Sequence, residues 1–371
     1  MIELRNVTKR YGLTTLAVRN VSFEIRDHEF LVIYGPAGAG KTTTLRLIAG
    51  ITQPTSGDIL QNGRSIVGVA PENRNMAMAF ENYALYSHLT VYENLAFPLR
   101  AKKFPQNEID ARVQKIARML QIQDLLDRRP GFLSGGQRQR VALGRAIIRP
   151  ATVYLLDEPI GHLDAKLRHR LRGELKAMAL ELNATVVMVT TASREALAMG
   201  DRIAILRNGI LEQIGTPEEI YHKPRNEFVA SFVGEPPMSF LDVEPTQSNG
   251  RLYFRLQGSE HVLPVPPHLT ASLDGSKSGY RIGVRASEVT IASQQDETHQ
   301  TPAQVYVVEP LGYCNVISAR IGDGLVRVVV DPLIRPKVNE TIWLSLDCNH
   351  VHVFHQEKAI SHPTQNQKAN H

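Results

Sequence analysis

Gly35 to Thr42 reads GPAGAGKT, after the apolar run FLVIY and before TTLRLIAG. This fits the spacing G-x-x-x-x-G-K-[ST] of a phosphate cradle. The loop of Gly35, Pro36, Ala37, Gly38, Ala39 and Gly40 can wrap phosphates with its backbone N–H groups, which all of these residues but Pro36 carry, and the helix that follows, with Thr43 in its first turn, adds its dipole. Lys41 would sit between β- and γ-phosphates, and the Thr42 hydroxyl would ligate Mg²⁺. The alternatives are a plain glycine turn and a dinucleotide-binding loop. The latter is disfavoured because Lys41-Thr42 stand where that fingerprint needs a close-packing residue. A second run, TVYLLDEP, is an apolar strand ending in acid. Paired with the cradle, Asp157 would hold Mg²⁺ through its water shell and Glu158 would polarise an attacking water. Taken alone, two acids after a strand are also the pattern of a solvated strand end.

A third run, LSGGQRQRVALGRAI from Leu133 to Ile147, closely resembles the signature motif of ATP-binding cassette (ABC) ATPases, and its place just before the Asp157 strand matches. Ser134, Gly135, Gly136 and Gln137 open a helix whose N-terminus can face a γ-phosphate. The resemblance covers essentially the whole chain and implies ATP and Mg²⁺ as cofactors. It places Tyr11, in VTKRYG, against the adenine ring. It makes ENYALYSHLTVYENLAF, Glu81 to Phe97, the region that receives a helix of the membrane subunit, with Tyr83, Leu85, Tyr86 and Leu89 suited to a groove. IGHLDAKLR resembles the D-loop, with Asp164 in its usual place. FVASFVGEPPMSFL and IGVRASEV resemble the junction and β-barrel of the carbohydrate-importer, maltose-type branch, whose C-terminal domain dimerises and receives regulatory signals.

Two positions depart from that pattern. Glu81, in AFENYAL, replaces a glutamine that helps place Mg²⁺ and the attacking water. A carboxylate can still ligate Mg²⁺, but it adds negative charge and cannot donate when ionised. Thr191, in VTTASREALAMGDRIAIL, replaces a histidine that reaches the γ-phosphate. Losing one such donor costs about 10²–10³ in rate. Compensation by a neighbour such as Ser193 is the alternative. In the family two cassettes sandwich two ATPs head to tail, each between one chain's cradle and the other's signature. An intact signature beside a damaged cradle side therefore implies a heterodimer with a complete paralogous ATPase chain. A homodimer with compensated sites, a non-hydrolysing regulatory subunit and a soluble translation-type ABC protein are the other readings. The branch implies a sugar, polyol or sugar phosphate as solute, with glycerol the specific candidate.

These motifs need strands and helices to hold them. FLVIYG, TVYLLDE and ATVVMVT are nearly all-apolar, β-branched runs, as expected of parallel strands covered on both faces. NEIDARVQKIARML puts Ile109, Val113, Ile116 and Leu120 on one helical face. RIAILRNGILEQIG predicts a hairpin turning at Asn208-Gly209. Beyond Gly234 the runs RLYFRLQ, YRIGVRA, AQVYVVE, LVRVVVD and TIWLSLD alternate, separated by Pro and Gly, which predicts a small β-barrel. The expected fold is an α/β P-loop NTPase over 1–233, with a helical subdomain about 85–150, then an all-β OB-like domain over 234–354 and a polar tail over 355–371. The 371 residues carry a net charge of +5, scattered without a Lys/Arg block, so no nucleic-acid partner is expected. Cys314 and Cys348 are too few for a disulfide framework or a zinc site. The start lacks a signal-peptide core and no apolar run is long enough to span a membrane. A soluble chain is expected, peripheral at the cytoplasmic face of the cell membrane. Its expected partners are transmembrane permease subunits, the second ATPase and, through the complex, an extracytoplasmic solute-binding protein.

Overall fold

The computed structural model describes residues 1–265, 269–270, 273, 278–292, 300–346 and 350–362. They fall into two compact units, Met1–Pro217 and Glu218–His371.

In the first unit a six-stranded sheet runs in the order Ile210–Gly215, Arg202–Arg207, Phe30–Tyr34, Thr185–Thr190, Val153–Asp157, Met76–Ala79. All neighbours are parallel except the first pair, which is the hairpin expected at Asn208-Gly209. Every residue of Phe30–Tyr34, Val153–Asp157 and Thr185–Thr190 is buried, which is why these runs show no polar alternation. Tyr34 pairs with Thr190 and Asp157 with Val189, so three strands end at one edge of the sheet. That carboxyl edge is where open α/β sheets bind ligands.

A four-stranded antiparallel sheet, ordered Thr15–Ile25, Ile2–Tyr11, Ser56–Gln61, Arg64–Ser65, was not anticipated as a separate layer. Ile2, Leu4, Val7, Val18, Val21 and Ile25 join Leu31, Ile33 and Val187 of the central sheet in one core. Most of its exposed residues, such as Arg5, Asn6, Arg19, Asn20 and Glu24, are polar, and this one-sided burial gives a weaker apolar signal than the central strands. Three helices, Val91–Ala101, Gln106–Leu120 and Gly135–Ile147, pack together. The predicted face Ile109, Val113, Ile116 and Leu120 is the buried one. Gly144 sits at their crossing, where a Cβ would come within 2.8 Å of Leu95 and 2.9 Å of Leu120.

The second unit is a nearly closed all-β barrel. It combines a six-stranded antiparallel sheet, Val262–Pro264, Arg251–Leu256, Ser239–Ser248, Tyr280–Val284, His352–His355, Lys358–Ser361, with a five-stranded one, Val289–Ile291, Thr341–Leu346, Gln300–Pro310, Asn315–Ile321, Gly324–Val330. Leu241, Phe254, Ile282, Ile317, Val326 and Val353 lie in its core. The stretch expected as a polar tail from 355 begins instead with a strand, Lys358–Ser361, paired to His352–His355, because backbone pairing does not need apolar side chains. Residues 363–371 lie outside the described residues. Two short helices, Pro217–His222 and Glu227–Phe232, precede the barrel. Arg285 is buried and donates to the carbonyls of Ala230, Val233 and Tyr221. Its guanidinium also lies 4.2 Å from the Tyr221 ring centroid.

Three carbonyls lose their donor if Arg285 is removed. Arg285→Met should destabilise the second unit by about 3 kcal/mol in urea unfolding, because unmade buried hydrogen bonds carry their full desolvation cost. Arg285→Lys should recover little, since one ammonium cannot reproduce the fork.

Candidate functional site

The cradle begins where Phe30–Tyr34 ends. Gly38 and Gly40 have φ of 75° and 95°, conformations that favour glycine, and they turn the loop into the helix Lys41–Ala49. The loop is held from behind. The Ala39 carbonyl accepts from Gly209 N–H at 3.0 Å, and the Gly209 carbonyl accepts from Arg19 N–H at 2.7 Å. A Cβ on Gly40 would stand 2.2 Å from the Ala17 carbonyl oxygen. Asn208 and Gly209 are both left-handed, at φ 51° and 79°, the twist a two-residue hairpin requires.

Lys41 is buried and its Nζ donates to the Pro36 carbonyl at 2.9 Å. Burial pulls its pKa down, opposed by the charges of Glu158, Asp157 and Glu81. Thr42, half-buried like Thr43 beside it, donates from its hydroxyl to Asp157 Oδ1 at 2.9 Å. Asp157 is buried; desolvation raises its pKa, the Thr42 bond lowers it and Glu81 raises it. Burial pushes Glu158 up to about 7, opposed by Lys41 and helped by Glu195, Asp157 and Glu81. Lys41, Thr42, Asp157, Glu158 and Glu81 therefore form one electrostatic cluster, with Glu81 on its exposed side. Thr42 and Asp157 are hard oxygen donors side by side, a set that suits Mg²⁺. When bound, that ion neutralises phosphate charge.

Ser134 caps the helix Gly135–Ile147 in a reciprocal box: its hydroxyl accepts from Gln137 N–H, and Gln137 Oε1 accepts from Ser134 N–H at 2.8 Å. Gly136 packs near Leu163, where a Cβ would stand 3.3 Å from Cδ2. Asp164 caps Ala165–Glu181 by accepting from Leu167 N–H at 2.9 Å. Tyr11 ends its strand 40% exposed, with Lys9 Nζ 5.1 Å from its ring centroid. Thr191 is exposed. Its neighbour Thr190 is buried and donates to Glu195 Oε2 at 2.6 Å.

Two residues of this region were not singled out from sequence. Gln139 is buried, donates to the Glu158 carbonyl at 2.8 Å and accepts from His162 N–H at 3.2 Å. Glu195 is buried beside Arg168, 3.8 Å away. The only available signal was a polar residue at an inward helix position, which needs a partner.

Residues 18–161 match the family model described as ABC transporter. A trehalose/maltose import ATP-binding protein of Thermococcus litoralis is 41% identical over 95% of this chain and 97% of that protein. The chain belongs to the ABC transporter ATP-binding proteins. A second relative of this ABC ATPase, an sn-glycerol-3-phosphate import ATP-binding protein of Salmonella typhi, is 39% identical over 96% of the chain and 98% of that protein. Among solved structures, a dimeric ATP-binding cassette in a post-hydrolysis state with ADP and Pi matches at TM-score 0.55 and 30% identity, covering 58% of this chain and 99% of that one. As an ABC ATPase the chain takes ATP with Mg²⁺. Among the described residues no helix is long and apolar enough to cross a membrane.

Lys41→Ala should weaken MgATP binding to the full chain by at least tenfold in a nucleotide titration, since the cradle's one buried cation is lost. Glu158 gives a pH-dependent signature. Its folded value lies above the ordinary 4.5, so folding favours the protonated form. That contribution is complete below pH 4.5 and is lost as pH rises through about 7. Glu158→Gln should stabilise the nucleotide-free chain by about 1–2 kcal/mol at pH 8 in urea unfolding and by little at pH 5. Partial solvation of the carboxyl holds the gain to that size.

Proposed function

We propose that this chain is the ATP-hydrolysing subunit of an importer for a sugar, polyol or sugar phosphate, glycerol being the specific candidate. It sits peripherally on the cytoplasmic face of the cell membrane and works in an asymmetric pair with a second, paralogous ATPase chain. The relatives' names, trehalose/maltose and sn-glycerol-3-phosphate import, support the solute class.

One observation carries the asymmetry. The strand Thr185–Thr190 is followed by an exposed threonine, while the buried hydroxyl beside it is committed to Glu195. The segment 185–199 contains no histidine. Lys41, Thr42 and Asp157 hold nucleotide and Mg²⁺, and Glu158 is the base. Glu81 and Thr191 hold the attacking water poorly, which lowers the rate by about 10²–10³ for one lost donor. Ground-state affinity depends little on that donor, so the site retains ATP. Ser134 to Gln137, folded into a complete cap, serve the partner chain's ATP. Tyr11 stacks on adenine and Asp164 shapes the loop between the sites.

The surface from Glu81 to Phe97 receives the permease. Tyr86 and Phe97 lie 38% and 44% exposed with ring centroids 4.7 Å apart, and Arg145 of the signature helix lies 5.0 Å from the Tyr86 ring. Apolar side chains so placed suit a helix seated in a groove. The permease subunits and a solute-binding protein outside the membrane complete the importer, and the second unit regulates it.

Transport by the assembled complex tests the asymmetry. Glu158→Gln should lower uptake modestly, whereas the matching change in the partner chain should abolish it. Glu81→Gln with Thr191→His should raise hydrolysis at this chain's own site by about tenfold or more. Equal losses from the two glutamate changes, or vigorous hydrolysis by a homodimer of this chain, would sink the reading.

A further inference from the structure

Glu158 leaves its strand in a left-handed conformation, φ 46°, which a non-glycine residue keeps only when its surroundings hold it. They do so from both sides. Its N–H donates to the Val189 carbonyl at 3.1 Å, and its carbonyl accepts from Gln139 Nε2 at 2.8 Å. The other end of the same buried amide accepts from His162 N–H at 3.2 Å. Gln139 therefore ties together the two ends of a short loop, 158–162. Gly161 lies inside it, with its Cβ position 3.4 Å from Glu158 Oε2.

The ring of His162 makes a second contact, with Tyr83. Its Nδ1 lies 3.2 Å from Tyr83 Oη, and the two rings meet edge to face with centroids 6.4 Å apart and planes at 88°. With the ring proton on Nε2, Nδ1 accepts from the Tyr83 hydroxyl. Tyr83 and Ala84 are themselves left-handed, at φ 63° and 42°. Two strained turns, one after Glu81 and one at Glu158, are thus joined through a single tyrosine–histidine contact. None of the roles assigned above uses it.

We propose that Tyr83 and His162 form a latch that couples the 81–97 surface to the backbone of Glu158, making His162 a positioning residue for hydrolysis. The contact is weak enough to open, since a solvent-facing hydrogen bond of this kind shifts a local equilibrium only a few-fold. It is also directional, because movement of Tyr83 pulls on His162, and through Gln139 on the carbonyl of Glu158. The consequence for permease-stimulated turnover rests on the proposed docking of the permease at 81–97; the mechanical coupling does not.

Hydrogen exchange on the nucleotide-free full chain tests the coupling without permease. Tyr83→Phe, which removes only the hydroxyl, should speed exchange across 158–164 about fivefold, and His162→Ala should do the same across 81–86. The double variant should exchange no faster than the singles. His162→Asn, which offers Oδ1 near the position of Nδ1, should restore the slow rates. In the assembled transporter with the partner chain's matching glutamate changed to Gln, so that hydrolysis at this chain's own site is read alone, Tyr83→Phe should lower permease-stimulated kcat about fivefold and leave KM for ATP unchanged, with the pair again non-additive. Exchange in each loop that ignores changes in the other, or effects that multiply in the double variant, would overturn the latch. Intact exchange coupling with unchanged stimulated kcat would overturn the positioning role. Failure of the docking reading would show separately, as no complex formed by the parent chain.

Discussion

The buried ammonium of Lys41 is the interaction around which the first unit is arranged. An unpaired cation there would be expensive, and Asp157, Glu158 and Glu81 make it tolerable. The reverse also holds: Lys41, joined at Asp157 by Arg46, does not offset burial, which keeps Asp157 and Glu158 above the ordinary carboxylate range. The cluster is unequally served, with more acid than base in a desolvated space. A bound Mg²⁺ supplies the missing positive charge at Thr42 and Asp157, and a triphosphate gives Lys41 a better partner than the Pro36 carbonyl. The strand register that brings Tyr34, Asp157 and Thr190 to one edge is the structural precondition for all of this.

The second unit solves a similar problem in the opposite way. Arg285 is also a buried cation, with its pKa lowered by burial to about 10, but its partners are carbonyl dipoles. Carbonyls do not titrate, and a guanidinium at that value stays charged at neutral pH. The first arrangement sets titratable groups against one another, while the second holds two short helices through uncharged carbonyls at neutral pH.

Much of this was legible in the sequence. The all-apolar strands, the amphipathic helix 106–120, the Asn208-Gly209 turn and the alternating strands of the barrel all follow from periodicity and turn chemistry, and the cradle follows from glycine spacing. The antiparallel sheet was less visible because Ile2–Tyr11 and Thr15–Ile25 bury one face and leave the other polar. The strand Lys358–Ser361 was hidden because its backbone, not its side chains, makes the pairing. At the site the candidate residues stand out in the sequence, but what holds them does not. Gln139 is one polar letter among several in LSGGQRQR, and only the fold shows that it spans Glu158 and His162. Likewise Thr190 and Thr191 look alike in sequence, and burial alone separates them.

The hairpin turn at Asn208-Gly209 has a consequence for the nucleotide. Its backbone braces Ala39, and Gly40 is wedged against Ala17. The shape of the phosphate loop is thus fixed in part by contacts within the fold. Ordering a flexible loop costs about 1–2 kcal/mol of backbone entropy per residue, and here folding meets part of that cost. More of the contact energy then remains as affinity. The affinity of the loop is in this way tied to a turn some 170 residues away in sequence.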